Sequence, residues 1–160
     1  RSRGLGDVYK RQNKDTYAAN AASYLEKLAA LDGEYQSVVD NAARKTVLFG
    51  DRFPFRYLVD DYGLSYYAAF AGCSAETEAS FGTISFLAGK VDELRLPCVL
   101  TIEGAQHKVA ETIVQNTAEK NQSILTLDSM QSTTSTDVAN GTTYLSVMES
   151  NLDVLKQALN

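Results

Sequence analysis

The chain has 160 residues, 44% of them hydrophobic and 22% charged, with a formal net charge of −5 at pH 7. That is enough apolar material for one real core, and an acidic chain with no cluster of Lys or Arg lacks the electropositive footprint that nucleic acid requires. No run approaches the roughly 18 apolar residues of a membrane span, and no charged-then-apolar signal segment opens the chain.

Residues 1–12 carry four of the fifteen Arg and Lys and show neither a helical nor an alternating apolar period. The string resembles translated adapter sequence and is set aside as a non-native leader. The expectation is that the natural protein begins upstream, so a missing signal here is silent about compartment. From Asp15 to about Arg44, within a linking segment 13–44, Tyr17, Ala21, Tyr24, Leu25, Leu28, Leu31, Tyr35, Val38, Val39 and Ala42 recur three and four apart. That spacing predicts one long helix, on the order of 45 Å at about 1.5 Å per residue. Gly33 inside it costs about 1 kcal/mol against Ala, and a helix longer than its lobe is suited to bracing a second body.

Residues 45–160 then alternate strand and helix. Thr46–Phe49 reads as a strand, followed by a helix over Phe53–Tyr62 with Pro54 in its first turn and Gly63 as its left-handed stop. Tyr66–Phe70 is a second strand. A helix from about Glu76 to Leu94 follows, with Phe81, Ile84, Leu87, Ala88, Val91 and Leu94 on one face. Cys98–Ile102 is the third strand, Gln106 to about Lys120 the third crossover helix, and Ser123–Leu127 the fourth strand. Ser129–Gly141 is a Ser/Thr-rich loop without apolar period. A final helix, Thr142–Leu159, turns Tyr144, Leu145, Met148, Leu152, Leu155 and Leu159 inward. Such alternation implies right-handed crossovers and a four-stranded parallel α/β sheet with flanking helices.

Each strand ends on polar turn residues: Gly50-Asp51-Arg52, Gly72-Cys73-Ser74, Glu103-Gly104 and Asp128-Ser129. In a parallel sheet these endings share the edge where open α/β folds bind ligands. Cys73 and Cys98 fall at opposite strand ends, about a strand length apart, beyond the ~7 Å limit for a disulfide. Two free thiols are expected, and two cysteines do not distinguish a reducing from an oxidising compartment.

The chemical groups predicted at that edge are Asp51, Arg52, Cys73, Glu76, Glu103, His107 and Asp128. Taken singly each is weak, and three have a plain structural reading. Asp128 before Ser129 suits a turn cap, Glu103 suits a salt bridge to Arg52 because a carboxylate at a buried strand end needs a partner, and His107 in a first helical turn suits a solvated surface residue. The chain has no G-x-S-x-G, G-x-x-x-x-G-K-[ST] or G-x-G-x-x-G, and no C-x-x-C or H-x-x-x-H pair. Nucleotide-dependent and hydrolase chemistry lose their usual signatures.

The run Arg52-Phe53-Pro54-Phe55-Arg56-Tyr57-Leu58-Val59-Asp60-Asp61-Tyr62-Gly63-Leu64 resembles the H-x-A-F-x-Y-F-x(3)-Y-G-L segment of the zinc- and manganese-binding receptors that feed ABC importers. The similarity extends through Tyr17–Asp32, Thr101-Ile102-Glu103, Leu127-Asp128-Ser129-Met130 and Tyr144–Leu152, so it covers nearly everything from Asn13 onward and is to the C-terminal lobe. The resemblance implies two α/β lobes joined by a rigid helix, with a metal in the cleft and two histidine ligands from an N-terminal lobe absent from this chain. The family's third ligand, His or Glu, falls on Arg52, which cannot bind a cation; Asp51, one residue earlier, is the carboxylate that could substitute. The family's fourth ligand falls on Asp128. Glu103 matches an acid near the cleft, read as an outer partner or an anchor for Arg52, with His107 beside it.

The resemblance therefore implies extracytoplasmic capture of a divalent transition ion, zinc or else manganese, at a site incomplete in this chain. It also implies delivery to an ABC permease without bond-making chemistry, with a membrane reached only through an upstream lipid anchor at the periplasm or cell surface. Two other classes stay open: a lobe that takes an anion or organic solute through Arg52 as a charge-matched fork, and an unrelated flavodoxin-like enzyme domain using the same sheet edge.

Overall fold

A computed structural model describes residues 13–72, 79–104 and 107–160. Residues 1–12, Cys73, Glu76 and the expected helix starts at Glu76 and Gln106 lie outside the described residues. The chain divides into two compact units, Arg1–Glu34 and Tyr35–Asn160.

Helix α1 spans Lys14–Asp40. Its last turn closes where Asn41 N and Ala42 N donate to the carbonyls of Ser37 and Val39, so it stops short of Arg44. Within the first unit Tyr17, Tyr24 and Leu25 are exposed, although their spacing places them on an apolar stripe.

The second unit carries β1 (Thr46–Arg52), α2 (Arg56–Asp61), β2 (Ser65–Phe70), α3 (Phe81–Leu94), β3 (Cys98–Thr101), α4 (Lys108–Gln115), β4 (Ser123–Thr126), α5 (Ser135–Ala139) and α6 (Tyr144–Leu159). The four strands form one all-parallel sheet in the order β2-β1-β3-β4. The order of strand addition reverses between β1 and β3: β1 leads outward to β2, whereas β3 leads the other way to β4. That is the topological switch point, beside which open sheets bind ligands.

Alternation along β1 supplies both layers. Leu48 packs with Val99, with Ile84, Leu87, Ala88 and Val91 of α3 and with Ala110, Ile113 and Val114 of α4. Phe49 turns to the opposite face, where its ring meets those of Phe53 and Phe55 at 5.2 and 5.5 Å. Leu152, Leu155 and Leu159 of α6 are buried, and that helix packs on β1, β3 and β4. Tyr35 stacks on Tyr62 and donates its hydroxyl to the Met148 carbonyl at 2.7 Å. At Gly50 helix α4 comes close against the sheet: a Cβ there would lie 2.6 Å from Ala110 Cα.

Several boundaries differ from the sequence expectation for identifiable reasons. The helix expected from Phe53 begins at Arg56, because Phe53 and Phe55 are drawn into the core as aromatic anchors and leave Pro54 in the approach to the helix. Helix α4 ends at Gln115 rather than near Lys120. Thr117 there turns its hydroxyl onto the Val114 carbonyl, and Lys120 adopts φ +56°. Phe81 and Tyr144, expected inside, are 80% and 51% exposed, since both fall in the first turn of their helices, where the apolar stripe has not yet reached the sheet. The Ser/Thr-rich loop contains α5, opened by a reciprocal capping box between Thr134 and Asp137. Cys98 is buried, free, and its thiol is pushed up to about 12 by desolvation.

Candidate metal centre

Phe49, Leu100 and Leu125 form a paired row across β1, β3 and β4. With neighbouring strands about 4.8 Å apart, that row spans on the order of 10 Å. Three residues beyond it in sequence lie Arg52, Glu103 and Asp128. The loop from β1 and the loop from β3 flank the switch point, so Arg52 and Glu103 stand on its two sides.

Strand β1 does not end regularly. Its register with β2 runs Phe49 to Ala68 and then Arg52 to Phe70, which places one extra residue on β1 across Gly50-Asp51. Such a bulge bends the strand and re-aims its side chains. Asp51 Oδ1 accepts the Arg52 backbone N–H at 2.7 Å and lies 3.8 Å from Arg52 Nε. The Arg52 Nη atoms meet no acceptor from the described residues, and its side chain is 40% exposed. Arg52 therefore takes Asp51 as its ionic neighbour, and the expected Glu103–Arg52 pair does not form.

Glu103 is instead committed to the turn after β4. Its Oε2 accepts Ser129 N at 2.6 Å, its Oε1 accepts Gln131 N at 2.7 Å, and the Ser129 hydroxyl bonds to both oxygens. Desolvation opposes ionisation of this carboxyl. The Ser129 donors, with the backbone N–H groups of Glu103 itself and of Gln131, together outweigh it and hold Glu103 below the usual carboxylate range.

Asp128 sits at the head of that turn. Its Oδ1 accepts Met130 N at 2.7 Å, an Asx turn that carries Met130 into the left-handed region at φ +60°. Its Oδ2 meets no donor from the described residues. The ladder reaches the turn because Leu127 N donates to the Thr101 carbonyl at 2.9 Å. Beyond it, the side chain of Asn151, 2% exposed on α6, takes over. Asn151 Oδ1 accepts Asp128 N and Asn151 Nδ2 donates to the Asp128 carbonyl, both at 2.8 Å. Asn151 escaped the sequence reading. The available signal was its place four residues from both Val147 and Leu155, which puts an amide on the buried face of a helix.

His107 lies at the N-terminal boundary of α4; its Nδ1 is buried and has no hydrogen-bond partner among the described residues. The carboxyl ends of the strands thus carry Asp51 and Arg52 on β1 and the residues Glu103 and Asp128 just past β3 and β4, of which Glu103 and Asp128 meet through the turn Ser129–Gln131, with His107 at the helix that follows β3. Among the described residues no three His, Cys, Asp or Glu side chains form a group able to hold a metal ion, and no helix is long and apolar enough to cross a membrane.

The profile of the family described as ZnuA, zinc-uptake complex component A, periplasmic, matches residues 4–158. The chain is 34% identical over 144 residues to the zinc-binding lipoprotein AdcA of Streptococcus pneumoniae (serotype 4), covering 90% of this chain and 28% of that protein. It is 29% identical over 147 residues to the high-affinity zinc uptake system protein ZnuA of Bacillus subtilis, covering 92% of this chain and 44% of that one. The chain therefore spans less than half the length of these curated relatives. Among solved structures, the Zn(II)-bound ZnuA-like domain of S. pneumoniae AdcA superposes with a TM-score of 0.73 at 31% identity, over 96% of this chain and 55% of that one. The metal-dependent lipoprotein YcdH of B. subtilis gives 0.78 at 27% identity, over 96% and 56%. A profile match from end to end, with the parallel sheet and its helices superposing on one part of these larger structures, makes this chain a member of the ZnuA family.

Proposed function

We propose that residues 45–160 are the C-terminal lobe of an extracytoplasmic receptor that captures a divalent transition ion, zinc, and hands it to an ABC permease without bond-making chemistry. Helix α1, within 13–44, is the strut to a second lobe. The observation that carries this reading is Asp128: one carboxylate oxygen is tied into its own turn, and the other meets no donor among the described residues at the carboxyl edge of the sheet. A carboxylate oxygen suits zinc at about 2.0–2.2 Å. Family membership supports zinc as cargo, and Asp51, next to Arg52 at the end of β1, is the second candidate oxygen donor. Glu103 acts from behind, as the bracket of the Asp128 turn.

Arg52 supports a second reading, because its Nη atoms lack an acceptor among the described residues and a guanidinium fork matches a carboxylate or phosphate. An isotope-labelled chain titrated with zinc, and separately with inorganic phosphate, distinguishes the two. Zinc should shift the Asp128–Met130 amides, and Asp128→Asn should abolish the shift. A phosphate response at Arg52 with no zinc response would overturn the metal reading.

A further inference from the structure

The two peptide planes that meet at Asp128 Cα are pinned by a single buried side chain. The N–H of the 127–128 peptide donates to Asn151 Oδ1, and the carbonyl of the 128–129 peptide accepts from Asn151 Nδ2. The other side of the 128–129 peptide, Ser129 N–H, is held by Glu103. With both planes fixed, φ and ψ of Asp128 are fixed. The Oδ1 bond to Met130 N then fixes its side-chain torsion. One degree of presentation remains, the direction of Oδ2, and it follows from the other three.

We propose that Asn151 is the positioning residue for Asp128, aiming the carboxylate oxygen that does not cap the turn at the incoming ion from α6; this rests on the reading of Asp128 as a ligand. A strand end could be closed by water or by any single donor. A buried amide that supplies one donor and one acceptor to the two sides of the same residue does more, because it removes rotation about both backbone bonds of that residue. A carboxylate so held reaches the ion without first losing conformational freedom, which is how partners behind a ligand raise metal affinity.

The test uses the labelled 160-residue chain and sub-stoichiometric Mn(II), whose paramagnetism broadens amides near even a weakly held ion. In the parent, Ser129 and Met130 should broaden first. In Asn151→Ala the same broadening should require roughly 10- to 100-fold more Mn(II), measured on folded protein with its sheet amides unshifted. Should that variant not fold, Asn151→Ser, which leaves a hydroxyl and room for water, carries the same comparison. Unchanged Mn(II) response in a folded Asn151 variant, with the response lost in Asp128→Asn, would overturn the positioning role alone. A response that survives Asp128→Asn would remove the ligand reading and this inference with it.

Discussion

Glu103 shows how much one carboxylate can organise without touching an ion. Its oxygens accept from Ser129 N, Ser129 Oγ and Gln131 N, and these donors hold it ionised below the usual carboxylate range against the pull of desolvation. A group whose folded pKa lies below its unfolded value of about 4.3 contributes stability that is fully present above that value and is lost as pH falls through the folded pKa. The Ser129 and Gln131 amide signals should therefore titrate together, with a midpoint below about 4.3, and Glu103→Gln should abolish that step. A midpoint at or above about 4.3 would mean that the donors do not stabilise the charged form. Asp51, Arg52, Glu103 and Asp128 were legible in the sequence because strand ends announce themselves by polarity. Their partners were not. Nothing in the order of residues says that Glu103 reaches 26 positions along the chain to Ser129, or that Arg52 turns to its own neighbour, because those choices are made by register and by a bulge.

Strand β1 and helix α4 meet at a point where no side chain fits. The virtual Cβ of Gly50 falls 2.6 Å from Ala110 Cα and 2.7 Å from Ala110 Cβ, and both are parts of the helix body that cannot rotate aside. Gly50→Ala should therefore destabilise the fold by about 1–3 kcal/mol, the usual cost of overpacking a dense core, seen as a lower midpoint in urea with an unchanged slope. Its effect should reach the site too, since Gly50 precedes Asp51 inside the irregular end of β1. A variant as stable as the parent would show that α4 can lift from the sheet without penalty. The strands and long helices were readable from period alone. Boundaries failed where tertiary packing outbid local preference, as when Phe53 and Phe55 were drawn into the core ahead of α2. Helix α5 has no apolar period to reveal it, and its only sequence mark is the Thr134-x-x-Asp137 capping box.

A parallel sheet gathers its strand tips on one edge, and under the proposed reading that edge offers an ion part of a coordination shell. Zinc commonly takes four ligands. The described residues bring no group of three His, Cys, Asp or Glu together, and Asp128 has one carboxylate oxygen that meets no donor among them. Under the proposed reading the remaining contacts come from a second lobe, so the 160-residue chain should bind zinc weakly. Ligand linkage makes the outcome sharp. At about 100 μM free zinc, a Kd of about 1 mM would add only ~0.06 kcal/mol to folding stability, with no visible thermal shift. A Kd of about 1 nM would add ~7 kcal/mol, a shift no assay could miss. Calorimetric titration should accordingly show shallow heats without a stoichiometric break. Tight one-to-one uptake by this chain would mean that the lobe completes its own site, and the division of labour between two lobes would have to be given up.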